Sequence, residues 1–167
     1  MNILLLEPYY GGSHRSFIRG LESHLACRFA KLTLPARKWK MRMQLAAPWM
    51  AEKTVELIQS GENFDCILCF SLLDAATYRT LLHQSGIDLP LGIYFHENQF
   101  AYPSRISDPQ YHQFTALNFT SALAADALAF NSSFNRDSFL AGVTRYLKKA
   151  ADMDILHLVE TLGRKAS

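Results

Sequence analysis

Four short runs without a charged residue set the frame for this chain: Ile3–Leu6, Cys66–Phe70, Leu91–Phe95 and Ala127–Phe130. A strand with one face in water alternates apolar and polar residues, because successive side chains point to opposite faces. These runs do not alternate, so both of their faces need cover. That is the pattern of a parallel sheet with helices packed on it. A further alternating run, Phe29–Leu34, stops at Pro35 and reads as another strand.

The stretches between the runs have helical spacing. Phe17, Leu21 and Leu25 recur after Ser13, a plausible helix N-cap. Helices are expected over about Trp49 to Ser60, Asp74–Gln84, Gln110–Ala125 and Ser132–Lys149, with Gly61 and Gly86 closing two of them. The tail from Asp152 is amphipathic, with Ile155, Leu156, Val159 and Leu162 on one face and "LGRKAS" as a loose end. The reading is a doubly wound α/β domain over residues 1–150, followed by residues 151–167 as a tail or the start of a linker.

At 167 residues with 49% hydrophobic and 19% charged side chains, the chain suits one domain with a sizeable core. A net charge of +2 against 17 basic side chains does not by itself imply nucleic acid; only local clustering can. No secretory signal pattern is visible at the start, and no apolar run approaches the roughly 18 residues of a membrane span. A reduced, cytoplasmic protein without a membrane partner is expected. The pair Cys66 and Cys69 spells C-x-x-C, but residues three apart on a strand face opposite ways, so neither a redox nor a metal role is expected.

Ligands of open α/β sheets bind beyond the carboxyl ends of the strands, and three unusual segments fall there. The first is "EPYYGGSH". Gly11 and Gly12 permit close backbone approach, the amides of Gly12, Ser13 and His14 open a helix toward an anion, and Tyr9 and Tyr10 can stack on a ring. It is neither G-x-G-x-x-G nor a P-loop. The second, "HENQFAYPSR", offers His96 as an acid, base or hydrogen-bond partner, Glu97 as an acceptor and Asn98 as both donor and acceptor. A zinc motif H-E-x-x-H would need His at position 100, which is Phe100, so no metal is expected. The third, "NSSFNR", has Asn131 ending a strand and Ser132 or Ser133 as N-cap, a ligand role being open for Asn131 and Ser132. Separately, "PARKWKMRM" interleaves Arg37, Lys38, Lys40 and Arg42 with Trp39, a composition suited to a phosphate backbone with a stacked base, or to a solvated turn.

Together, "YYGGSH", "LPARKWKMRM", "YFHENQFAYP" and "LNFTSALAADALAFNSSFNRDSFL" resemble the N-terminal domain of the glycosyltransferase-like family of tRNA-queuosine α-mannosyltransferases, over Ile3 to about Leu140. The resemblance implies a Rossmann-like domain forming the N-terminal, acceptor-side half of a retaining GT-B fold. A missing C-terminal domain would hold most of the nucleotide-sugar, leaving the isolated domain inactive. It implies transfer of mannose from GDP-mannose, a substrate rather than a cofactor, to the cyclopentenediol hydroxyl of queuosine in tRNA. On that resemblance the Gly11–Gly12 loop faces the donor phosphates and sugar, His96 lies near the reacting sugar, and Arg37, Lys38, Lys40 and Arg42 contact tRNA. Two other readings stand beside it: a non-catalytic flavodoxin-like module for a small anion or nucleotide, and a hydrolase using His96 and Glu97.

Overall fold

The structure, a computed structural model, describes residues 1–102 and 110–166. The end of the second loop, Pro103, Ser104 and Arg105, lies outside the described residues. In chain order the elements are β1 (Asn2–Tyr10), α1 (Gly12–His24), β2 (Arg28–Pro35), α2 (Trp39–Gln59), β3 (Cys66–Phe70), α3 (Ala75–Gln84), β4 (Leu91–Phe95), α4 (Tyr111–Ala124), β5 (Ala127–Phe130), α5 (Ser133–Leu147) and α6 (His157–Lys165). The five strands form one sheet in the order β2-β1-β3-β4-β5, and every neighbouring pair is parallel. This is the Rossmann-like, doubly wound arrangement expected, in its flavodoxin-like order.

The apolar runs work as the sequence implies. Leu4 and Leu6 point into the larger core with Met50, Tyr78, Phe95 and Phe139, while Leu5 points the other way, to Ile18 and Phe70. α1 covers that second face, whereas Ala127 and Ala129 of β5 are exposed. At roughly 25 cal/mol per Å² of apolar surface removed from water, such two-sided burial is the main force holding the strands. Local signals complete the elements. Asp74 caps α3, its carboxylate accepting from the Thr77 N–H at 3.0 Å and the Thr77 hydroxyl at 2.7 Å. The buried hydroxyls of Thr54 on α2 and Tyr78 on α3 share a 2.9 Å hydrogen bond.

Three expectations need correction. β1 does not stop at Leu6 but runs through Glu7–Pro8 to Tyr10, with a register shift against β2 between Glu7 and Tyr10; Pro8 has no N–H for the ladder, and the strand continues past it by slipping register. α2 begins at Trp39, ten residues before the expected start, so half of the basic segment is helical and Pro48 lies inside the helix. The tail is not loose: α6 seats Leu162 fully in the core, and the Lys165 ammonium donates to the carbonyls of Leu123 and Ala125 at 2.7 and 2.6 Å. Its inward face is Ile155, Leu158, Val159 and Leu162, while Leu156 is exposed.

Gly142 of α5 passes directly over Phe100, which follows β4. A Cβ at position 142 would lie 2.4 Å from the Phe100 Cβ, an atom next to the backbone that cannot swing aside. Gly142→Ala is expected to cost about 1–3 kcal/mol by overpacking, read as a lower urea midpoint at unchanged m-value.

Candidate functional site

The site starts with an acid in the wrong company. Glu7 follows Leu4–Leu6 along β1 and has no exposed surface, yet a buried charge needs partners. It has two. One carboxylate oxygen accepts from the Tyr9 N–H at 2.7 Å, and the other accepts from Nδ1 of His14 at 2.8 Å. The turn between them depends on both glycines. Gly11 caps α1 with extended backbone and touches the end of β2 so closely that a Cβ would sit 2.5 Å from that of Ala36. Gly12 has φ +51°, in the left-handed region, and opens onto free space. The close approach to Ala36 by itself requires a glycine at position 11; Gly12 and Ser13 are the exposed members of the turn.

His14, in the first turn of α1, is 6% exposed. With Nδ1 donating to Glu7, its Nε2–H faces Glu97, whose carboxylate oxygen is 3.7 Å away, and Tyr9 meets the ring edge-on at 6.0 Å. His96 comes in from the end of β4 and lies against His14, ring centroids 4.1 Å apart. Its other neighbours are Phe70, stacked at 5.3 Å, Phe17 at 5.1 Å and Tyr94 at 4.9 Å. The His96 Nε2 is buried without a hydrogen-bond partner.

The two imidazoles are driven apart electrically. Burial works against a charge on His14, but the hydrogen bond to Glu7 and the nearby charges of Glu7 and Glu97, the latter 3.7 Å from Nε2, outweigh it and raise its pKa to about 9. For His96, burial comes first and the neighbouring His14 charge second; both lower its pKa, to about 4 against the opposing pull of Glu97. At neutral pH the cleft holds one imidazolium and one neutral imidazole. The linkage has a definite sign. His14 gives stability that is complete below its ordinary value of 6.5 and is lost as pH rises through about 9. His96 resists protonation, so its contribution is complete above 6.5 and is lost as pH falls toward 4. Unfolding free energy is therefore expected to peak near pH 6.5 and to drop by as much as roughly 3 kcal/mol on either side, measured by urea titration from pH 4 to 10.

The polar residues around His96 hold its loop. The Asn131 amide donates to the His96 carbonyl at 2.6 Å, and its oxygen accepts from Asn135 and Ser132. The Asn98 amide donates to the Asn135 carbonyl and side chain, while its oxygen takes the Ala101 N–H. Ser132 is the N-cap of α5, accepting from the Asn135 N–H. Asn98, Asn131 and Ser132, expected to contact a ligand, line the cavity beside His96, and within the fold their hydrogen bonds also fix the His96 carbonyl and the β4–α4 connection against α5. Glu97, by contrast, remains one-third exposed. A cavity of about 250 Å³ opens beside these groups, bounded also by Tyr102 and by Phe134, which is 77% exposed.

In the basic segment, Arg37 and Lys38 are exposed and Lys38 adopts the left-handed φ of 53° that turns the chain into α2. Trp39 is half-buried, with its ring tilted against Phe114 at 5.2 Å and Tyr102 at 5.8 Å and the Lys40 ammonium 5.7 Å from its centroid. Arg42 is half-buried and its Nε has no hydrogen-bond partner. Tyr10, at the end of β1, packs beside Ile18 and Phe70. The sequence reading missed Glu7 as a member of the site; an acid placed directly after three leucines was the available signal. Glu7, His14 and His96 also bring three ligand-type atoms within 4.8 Å of one another, two of these residues being already joined by the Glu7–His14 hydrogen bond.

Comparison with known proteins gives a consistent family. The model of the tRNA-queuosine alpha-mannosyltransferase N-terminal domain matches residues 2–167. The Drosophila melanogaster tRNA-queuosine alpha-mannosyltransferase is 34% identical over 165 residues, which is 98% of this chain and 42% of that protein. The chain thus spans less than half the length of that relative. Among solved structures, a UDP-glucosyltransferase from Polygonum tinctorium aligns over 83% of this chain and 48% of its own at 10% identity and TM-score 0.47. A C2-type ketoreductase of a modular polyketide synthase aligns over 85% and 34% at 12% identity and TM-score 0.48. No helix among the described residues is long and apolar enough to cross a membrane.

Proposed function

Because the chain belongs to the N-terminal domain family of the tRNA-queuosine α-mannosyltransferases, we propose that it is the acceptor-side half of a retaining GT-B glycosyltransferase that moves mannose from GDP-mannose to queuosine in tRNA. The observation that supports this best is the Glu7–His14–His96–Glu97 cluster at the carboxyl ends of β1 and β4. It is the place where an α/β sheet presents ligand-binding groups.

The chemistry asked of such a half is electrostatic. Departure of GDP leaves negative charge on the diphosphate, and the first-turn amides of the exposed residues Gly12 and Ser13, at the N-terminus of α1, meet it with donors. The neutral His96, whose Nε2 is buried without a partner in the fold, takes or gives one hydrogen bond at a hydroxyl of the transferred sugar once a small shift of the ring opens that atom to the cleft. Glu97 accepts from a hydroxyl of donor or acceptor. Arg37 and Lys38 lie on the surface for tRNA phosphates, which they attract without reading sequence. The nucleotide base and most of the donor belong to the C-terminal portion, so the isolated chain is expected to bind acceptor without turning over. A tRNA acceptor agrees with a cytoplasmic setting.

The test is a titration of this chain with tRNA containing or lacking queuosine at two salt concentrations. Binding that depends on queuosine and survives the higher salt is expected. Binding indifferent to queuosine and abolished by salt would reduce the interaction to a basic surface and overturn the acceptor assignment.

A further inference from the structure

Glu7 is too costly a residue to be incidental. A carboxylate with no exposed surface, placed in the most buried strand of the sheet, is tolerated only when paired. Its partner is the imidazole of His14, which lies against the His96 ring at 4.1 Å with the two planes tilted by 34°. Both carboxylate oxygens are used, one on the Tyr9 amide and one on Nδ1 of His14. The bond to Nδ1 settles the ring's orientation and leaves Nε2–H as its outward donor. That donor meets Glu97 at 3.7 Å, too long for a good hydrogen bond, and Glu97 is partly solvated and at the end of no secondary element.

We propose that Glu7 is a positioning residue that holds His14 as an outward-facing imidazolium, and that a phosphate oxygen of the ligand takes the His14 Nε2–H in place of Glu97. This deepens the glycosyl-transfer reading and rests on it for the identity of the ligand. In the empty cleft Glu97 is the resident counter-ion; its long contact is readily exchanged for a short, charge-assisted one. The exposed residues Gly12 and Ser13 open the same helix, α1, two residues and one residue before His14. The arrangement divides labour between the two rings: His14 carries charge for an anion, and His96 stays neutral for a hydroxyl.

Among the described residues, the charged and titratable groups facing His14 are Glu7 and Tyr9 from β1 and Glu97 and His96 from the segment after β4. They define the experiment. Inorganic pyrophosphate is titrated into this chain by calorimetry at pH 7.5, and the ring ¹⁵N shifts of His14 report its protonation in the same buffer. Wild type is expected to bind with His14 protonated. Glu7→Gln, which keeps a polar group of the same size, is expected to stay folded, to lose the His14 proton and to bind at least about tenfold more weakly, one charge-assisted contact being worth 1.4 kcal/mol or more. Glu97→Gln removes the competing carboxylate, leaves His14 paired with Glu7, and is expected to bind pyrophosphate more tightly than wild type. A purely structural Glu7 would move neither the His14 proton nor the opposite responses of the two variants.

Equal affinity of wild type and folded Glu7→Gln overturns the proposal, as does a neutral His14 in wild type or an absence of pyrophosphate binding. Should Glu7→Gln fail to fold, Glu97→Gln and the wild-type pH profile still decide: binding must weaken as pH rises through about 9, and a flat profile overturns it. The functional reading fails separately. Glu7-dependent pyrophosphate binding together with queuosine-indifferent tRNA binding would sink the queuosine assignment and leave the imidazolium site standing.

Discussion

If the proposed glycosyl transfer holds, His96→Ala in a longer protein that joins this domain to a C-terminal portion is expected to lower mannose transfer by about 10²–10³-fold, the usual cost of removing one pre-organised hydrogen-bonding group. The ring is held at the cleft by Phe70, Phe17, Tyr94 and His14, and its carbonyl by Asn131. The substitution also removes aromatic packing, so a second variant separates the effects. His96→Phe keeps a flat ring against Phe70 and loses only the nitrogens. It is expected to unfold near the wild-type urea midpoint while transferring as poorly as the alanine variant. Wild-type transfer by His96→Phe would remove His96 from the chemistry and leave it a packing residue.

Glu7→Ala is expected to be the most destabilising single change in the cleft, by roughly 3–5 kcal/mol, the cost of leaving one member of a buried ion pair without the other. The loss has a pH signature. At pH 6 the wild-type pair is complete, and the variant must either bury an uncompensated imidazolium or discharge it. As pH rises past about 9, His14 is neutral in wild type as well, and the gap between the two proteins narrows. Urea unfolding at pH 6 and pH 9.5 checks both statements. A loss of under 1 kcal/mol at pH 6, or a gap that widens with pH, would mean that Glu7 is not bonded to a cation.

The sheet was legible because its signal is physical and strong. Cys66–Phe70, Leu91–Phe95 and Ala127–Phe130 are strands with the expected limits; the first two are covered on both faces, whereas in the third only one face is covered and Ala127 and Ala129 are exposed. The failures have equally specific causes. Glu7–Pro8 looked like a stop, and it is the point where β1 shifts register and carries an acid into the cleft. The start of α2 was hidden because its first turns are basic and because Pro48 reads as a breaker, although Met43, Ala46, Ala47 and Met50 already form a buried face.

The candidate site was half legible. The strand-end rule located His14, His96 and Glu97, and the structure brings them together. It could not assign tasks. Asn98 and Asn131 have the same donors and acceptors whether they meet a sugar or a backbone carbonyl, and only the fold reveals the carbonyl of His96 and the side chain of Asn135 as their partners. Nor does the sequence disclose that Glu7 reaches His14, because the turn that joins them depends on a left-handed Gly12 and on contact between Gly11 and Ala36.

One measurement bears on the whole reading: transfer of radiolabelled mannose from GDP-mannose to tRNA by the protein in which this domain is joined to its C-terminal portion. tRNA containing queuosine and tRNA lacking it are assayed side by side. Label confined to queuosine-containing tRNA, and reduced about 10²-fold or more by His96→Phe, is the expected result. Label on both tRNAs alike, or on neither while the protein is folded and binds GDP-mannose, would contradict it.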